Sequence, residues 1–541
     1  MTTEAGVSSP SAPTGPGRWG LPGVLLLAAT VRVLRWHAVA VMFNDGPVFL
    51  ALAQAIAAGQ TEQALQHPFH PLYPALVALG HLTGMGWETS GVAVSVLGGT
   101  LAVALLHGFV RRAHGPRAAL VAALLLAVHP GAIEYTGDIQ SEGVYLAAFL
   151  ASALLLWVAL QRDRLGYAVA GGTASGLAYL ARPEGIGVAL AVGALLGWET
   201  LRGRRSLSRG TALGAAIAAG MLLLVLPYVV FLRVELGEWT LTQKKSVTVM
   251  SGLEAPPRDG PDPVLPGVTR AGRLAEPRVQ PRSRRETSAP PRPAAWERLP
   301  SAIFDVARTH LRALRYEGLA LLLLGLALTG VRPVGMRGRF VGAIVGCYAA
   351  VLLALAANVG YVSGRHALPA LTLLLGYEAE GVWATAGRLG RTPRMRAGTQ
   401  ALLLLVVTAI GLGKALRPDR VDSLAQRRAA EWLREQDIQV RGLAARKRRI
   451  AYYAGAPHVK LREGVATAHK LWAAGASHLV LDGDPRHDRK LRARVEQEAK
   501  LLHRVPEPAP GAAVYELETP PRFRSERYRR RHLRPEDATS R

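Results

Sequence analysis

Apolar stretches long enough, or nearly so, to cross a bilayer recur along the whole chain. They fall at about 20–41, 89–110, 117–133, 143–161, 166–181, 185–200, 211–232, 314–331, 340–358, 368–386 and 399–416. The run at 166–181 is short and rich in Gly and Ala, which predicts a tightly packed interior helix. Residues 71–84 are apolar too, but the run is shorter and Pro71 and Pro74 break its start. It reads as a helix on the membrane surface and not as a span. The pattern predicts a mainly α, polytopic membrane protein of about eleven transmembrane helices.

Charge supports that choice. With 71–84 left out, one set of connections carries Arg111, Arg112, Arg117, Arg162, Arg164, Arg202, Arg204, Arg205, Arg209, Arg332, Arg337, Arg339, Arg388, Arg391, Arg394 and Arg396. The opposite short connections carry Arg182 and Arg365 alone. Sixteen against two is a positive-inside signal that places the N-terminus in the cytoplasm and the C-terminus outside. Counting 71–84 as a span would invert every later loop and destroy the pattern.

Residues 1–19 then form a cytoplasmic tail and 20–416 a transmembrane domain. The run from Leu21 contains Arg32 and Arg35 and no clear cleavage site follows, so it reads as an uncleaved first helix and not as a signal peptide. Two long outer loops follow from the topology, 43–88 and 233–313. The middle of the second, 254–298, is dense in Pro and Arg and looks irregular. Residues 417–520 read as a small extracytoplasmic α/β domain, and 521–541 as a charged tail. In that domain 425–436 is amphipathic and 466–474 helical. Residues 450–453, 478–482 and 513–517 are strand candidates.

Composition changes the picture little. The 541 residues have a mean hydropathy of +0.17, a value diluted by the polar regions, and a formal net charge of +26. Such a balance suits nucleic acid or an anionic membrane. Here the arginines separate apolar runs, aromatics are sparse and no nucleic-acid motif appears, so membrane lipid is the expected partner and nucleic acid is not. Cys347 is the only cysteine, so no disulfide forms within the chain. The Ala, Arg and Gly bias suggests a GC-rich bacterium, whose inner (cell) membrane would hold the chain.

Ionisable groups at the membrane edge are costly and so are candidates for function. The outer ends of the predicted helices hold Asn44, Asp45, Glu62, His67, His70 and Tyr73, then Glu134, Asp138 and Glu142. They also hold Arg182 and Glu184 in ARPEG, and Arg365 and His366 in SGRHALP. Asp45, in FNDGP, is either a turn residue or a general base at the membrane surface. The arginines either anchor headgroups or meet a phosphate. Asp138 and Glu142 either cap helices or hold substrate. The histidines lack the spacing of a metal cluster. Lys244 and Lys245 could meet phosphate or form a solvated charge pair.

The stretch NDGPVFLALAQAIAAG followed by HPFHPLYPALVAL resembles the first external loop of the GT-C glycosyltransferases. It looks most like the protein mannosyltransferase and aminoarabinose transferase relatives of glycosyltransferase family 39. HPGAIEYTGDIQSEGVYL resembles that family's second external loop, with Glu142 at its usual acid, and ARPEG and SGRHALP resemble two further segments. The order covers roughly residues 20–485. Departures exist: Asn44 stands where many members carry a second acid, and Phe49 where many carry Tyr.

The resemblance implies a GT-C fold with outer juxtamembrane helices and a C-terminal soluble domain. It implies a polyprenyl-phosphate sugar as donor and Asp45 as the base that takes a proton from an unknown acceptor (lipid, glycan or protein), with inversion. Arg182 and Arg365 would serve the lipid phosphate. Asp138, Glu142, Glu184, His67, His70 and His366 would contact substrate. No cofactor is required, and the lone carboxylate at the first site weakens the case for a divalent metal without closing it. Rival readings are a transporter or lipid flippase, and an inactive sugar- or lipid-binding scaffold.

Overall fold

A computed structural model describes residues 20–244, 296–328, 335–461, 468–483, 489–508 and 510–517. The expected tails at 1–19 and 521–541, most of the 254–298 stretch, Arg332 and Lys245 lie outside the described residues.

A helix stands at each apolar run. They are α1 (Gly20–Ala38), α2 (Gly46–Ala57), α3 (Thr61–Leu65), α4 (Leu72–His81), α5 (Trp87–Ala113), α6 (Pro116–Ala127), α7 (Pro130–Thr136) and α8 (Glu142–Arg162). Then come α9 (Leu165–Ala181), α10 (Gly187–Leu201), α11 (Leu207–Leu236), α12 (Leu299–Leu314), α13 (Tyr316–Leu328), α14 (Met336–Val359), α15 (Gly364–Leu371), α16 (Leu375–Leu389) and α17 (Pro393–Ala415). Among the described residues six helical stretches are long and apolar enough to cross a membrane: α5, α8, Pro183–Leu201, α11, α14 and α17. The count is seven if α6 and α7 are one broken span. The chain is a multi-pass membrane protein. The remaining expected spans correspond to helices that are shorter or carry charge, such as the 17-residue α9 and α1 with its Arg32 and Arg35.

Two expected spans are not single helices. That at 117–133 breaks between α6 and α7 with a bend of 59°. Pro130 supplies no N–H at the start of α7, and the His129 ring caps it by accepting from Ala132 N at 3.2 Å. That at 368–386 is entered through α15 and the 3-10 turn Thr372–Leu374. In the first outer loop, α4 is only ten residues, about 15 Å, against the roughly 30 Å of a bilayer core.

Small residues let the helices approach. A Cβ on Gly172 of α9 would lie 2.1 Å from Ile217 O of α11, and one on Gly220 would lie 2.1 Å from Val169 O. The two backbones therefore touch, as the Gly/Ala run predicted. Phe109, Trp157 and Phe340 interlock α5, α8 and α14 at ring distances of 5.2–6.1 Å.

The C-terminal part holds α18 (Leu424–Glu435), β1 (Leu443–Ala445), α19 (Arg448–Tyr453), β2 (His458–Lys460), α20 (Ala468–Ala473), β3 (His478–Asp482), α21 (Arg489–Glu498), β4 (Lys500–Val505) and β5 (Ala512–Glu516). The sheet runs β2-β1-β3-β5-β4, parallel at β1 and antiparallel at β5. Residues 450–453, expected as a strand, are the end of helix α19. Ile450, Ala451 and Tyr453 are buried together, a helical and not an alternating spacing.

Candidate active site

Four segments meet at one end of the bundle: 39–45 after α1, 137–142 leading into the first residue of α8, 182–184 between α9 and α10, and 363–366 at the start of α15. Each brings a charged side chain. Asp45 stands at the N-cap position of α2, yet its carboxylate makes no capping bond. Its backbone oxygen does the local work, accepting from Val48 N and Phe49 N at 3.1 and 3.2 Å. The side chain, 28 % exposed, faces Arg365, whose Nη1 lies 3.4 Å from Oδ2. The same Nη1 is 3.8 Å from Glu142 Oε1.

Glu142 opens α8 and is buried. Arg182 donates to it through Nη1 at 2.6 Å and to Glu184 Oε1 through Nη2 at 3.1 Å. Burial disfavours the Arg182 charge, but Glu184 and Glu142 more than offset this and hold the guanidinium protonated. The Arg182 guanidinium also lies 5.8 Å from the Tyr145 ring centre. Tyr145 hydroxyl donates to Tyr348 Oη at 3.2 Å, and Tyr348 to Glu184 O at 2.8 Å. Gly185 is required here: a Cβ would fall 2.1 Å from the backbone of Ala178 and Tyr179. His366 Nε2 lies 4.0 Å from Glu184 Oε1. Burial, with Arg182 and Arg365 nearby, pushes its pKa down to about 3, so its ring is neutral.

The head of the long loop adds a cation. Burial first, then Arg182 and Arg365, lowers the Lys244 ammonium to about 8, against the pull of Glu184 and Glu142. Its Nζ sits 6.0 Å from the Phe69 ring centre. His70 anchors this stretch. Fully enclosed, it bonds Tyr179 O through Nδ1 at 2.6 Å and Thr242 Oγ1 through Nε2 at 3.1 Å. Burial takes its pKa down to about 3. Sequence reasoning left Lys244 open between a phosphate contact and a solvated charge pair, because nothing local shows that 242–244 folds back under His70.

Asp45, Glu142, Arg182, Glu184, Arg365 and His366 are thus brought together, with Lys244 beside them and His70 behind. His67 is turned to its own loop, accepting from Phe69 N at 3.0 Å. Asp138 is fully buried and both oxygens face protein donors. Oδ1 accepts from Phe43 N at 3.2 Å and Ile139 N at 2.7 Å, and Oδ2 from Arg420 Nη2 at 2.7 Å. Among the described residues, no three His, Cys, Asp or Glu side chains are grouped to hold a metal ion.

Residues 66–231 match the family model described as Dolichyl-phosphate-mannose-protein mannosyltransferase. ArnT from Cupriavidus metallidurans bound to undecaprenyl phosphate superposes with a TM-score of 0.57 at 15% identity, over 93% of this chain and 99% of that one. Its apo state gives 0.56 at 15% identity, over 92% and 99%. The Archaeoglobus fulgidus oligosaccharyltransferase in complex with Zn and sulfate gives 0.55 at 15% identity, over 92% of this chain and 73% of that one. No curated protein matches. ArnT and the oligosaccharyltransferase are GT-C superfamily glycosyltransferases, and the fold of this chain is the ArnT-like GT-C fold.

Proposed function

We propose that the chain is a membrane glycosyltransferase that moves a sugar from a polyprenyl-phosphate donor to an acceptor on the outer side of the cell membrane. The observation that carries this reading is the uncapped Asp45 carboxylate placed against Arg365 at the meeting point of four connections. A carboxylate that serves only as a turn residue would bond its own helix; this one faces the cluster.

In this reading the acceptor's hydroxyl or amine attacks the anomeric carbon while Asp45 takes its proton. The bond from that carbon to the phosphate oxygen breaks, its electrons pass to the lipid phosphate, and the anomeric centre inverts. Arg365, Arg182 and Lys244 supply positive charge where the leaving phosphate gains negative charge. Before donor binds, Arg365 is shared between Asp45 and Glu142. A phosphate drawing the guanidinium toward itself leaves Asp45 free to accept the proton. Glu142 and Glu184 hold Arg182 in place, His70 and His67 support the loop beneath the donor, and His366 offers a neutral ring. The match of ArnT, bound to undecaprenyl phosphate in that structure, supports the donor class. Asp138 is better suited to holding the chain than to touching sugar.

The test is Asp45→Asn in membranes supplied with polyprenyl-phosphate sugars. Transfer falls by at least about 100-fold, the scale of a lost general base, while the donor lipid still binds. Full transfer by the variant would end this mechanism.

A further inference from the structure

Residues 39–43 lead from α1 to the Asp45 turn, and their backbone is held mainly by groups of residues 419–453, with Asp138 at the last position. Ala40 N donates to Asp419 O at 3.2 Å, and Arg427 Nη1 donates to Ala40 O at 3.0 Å. Arg420 Nη1 donates to Val41 O at 2.8 Å. Met42 N donates to the Tyr453 hydroxyl at 3.0 Å, and Arg449 Nη1 donates to Met42 O at 3.1 Å. Phe43 N donates to Asp138, whose second oxygen is bonded by Arg420. An isolated bridge pairs Val39 with Asp419, and Arg35 Nη2 donates to the Asp419 carboxylate at 2.6 Å.

We propose that the C-terminal domain is a positioning device for Asp45, and that Arg420 is its central positioning residue. Arg420 joins three things at once. It binds the Val41 carbonyl, it neutralises the buried Asp138 that holds Phe43 N, and its guanidinium lies 5.4 Å from the Phe43 ring centre. Arg365, the partner of Asp45, lies 5.9 Å from the same ring centre. Phe43 therefore couples Arg420 to the Asp45–Arg365 contact. Arg420 adopts the left-handed conformation, φ 58°, that reaches these partners from just ahead of α18. The Tyr453 hydroxyl accepts from Met42 N, and three arginines each tie the domain to residues 40–42. Arg420 bonds Val41 O and Asp419, Arg427 bonds Ala40 O and Glu431, and Arg449 bonds Met42 O and Ser423 Oγ.

The kinetic part of the test rests on the transfer reading above; the exchange part does not. Hydrogen exchange of the 39–46 segment is followed in full-length protein in lipid nanodiscs, alongside transfer kinetics, for Arg420→Ala, Arg420→Lys and Tyr453→Phe. Arg420→Ala speeds exchange across 39–46 by at least about 10-fold, the effect of losing a charge-assisted bond, while α8 and β3 stay protected. It lowers kcat by about 10- to 100-fold, the scale of a misplaced reacting group, with donor KM nearly unchanged. Arg420→Lys recovers part of both. Tyr453→Phe, which removes one oxygen, raises exchange at Met42 alone with a smaller fall in kcat. Unchanged 39–46 exchange in Arg420→Ala overturns the proposal. If that variant unfolds throughout, Tyr453→Phe decides, and unchanged Met42 exchange there overturns it. Faster 39–46 exchange in Arg420→Ala, with no sugar transfer by the wild type, would leave the clamp standing and end the transfer reading.

Discussion

Arg365 follows Asp45 by 320 residues, yet its Nη1 lies 3.4 Å from the Asp45 carboxylate and 3.8 Å from that of Glu142. One guanidinium thus touches the proposed base and one arm of the buried charge network. Removing it should cost transition-state stabilisation more than fold. Arg365→Ala is expected to lower kcat/KM on the order of 100- to 1000-fold, as for loss of an oxyanion-type donor, with little change in thermal midpoint. Arg365→Lys keeps the charge but not the fork and recovers only part. Equal kinetics for the wild type and Arg365→Ala would remove Arg365 from the site.

Arg182 has the opposite profile. It lies buried between Glu142 and Glu184, so Arg182→Met takes away the nearest cation of both carboxylates and leaves Glu142 only the longer 3.8 Å contact with Arg365. The expected loss is about 3–5 kcal/mol of stability. Adding Glu142→Gln removes one of the stranded charges. The double variant should therefore be more stable than Arg182→Met alone, read as a higher unfolding midpoint in detergent. Strict additivity of the two changes would contradict the network.

The course of the bundle was legible because a span needs length and apolarity, both of which are local. The sharing of one side by Asp45, Glu142, Arg182 and Arg365 was legible from arginine spacing. The break at His129–Pro130 was missed because the apolar run continues through it. Residues 450–453 were misread because Ile and two Tyr favour strands locally, while packing asks for a helical face. The role of Lys244 stayed open and the Arg420 clamp was invisible for one reason. Both depend on contacts between distant segments that no periodicity announces. Asp138 stayed open between capping and holding substrate in the sequence because its Arg420 partner lies 282 residues away.

Lys244 should give the site a pH dependence. Burial lowers its folded pKa from 10.5 to about 8. Between those values the unfolded chain holds the proton that the native protein has released, so this group's contribution to stability rises with pH across that window. The functional sign is opposite. The ammonium charge disappears as pH climbs through about 8, and donor phosphate loses a cation. Donor KM is therefore expected to rise above pH 8 in the wild type and to stay flatter in Lys244→Arg. An identical profile for the two proteins would mean that Lys244 does not meet the donor.

Sidedness can be tested with the chain's own single cysteine removed. The four connections of the site meet within salt-bridge distance, so they share one side of the membrane whichever side that is. Only the arginine asymmetry assigns that side to the exterior. In a Cys347→Ala background, Thr61→Cys near α3 and Gln436→Cys after α18 occupy exposed positions on the site's side, and Ser208→Cys an exposed position at the opposite end of α11. A membrane-impermeant maleimide applied to intact cells should label the first two and reach Ser208→Cys only after permeabilisation. The reverse pattern would put Asp45 in the cytoplasm. The donor would then have to be drawn from the inner leaflet, and the sixteen arginines would lie on the side where the charge rule forbids their excess.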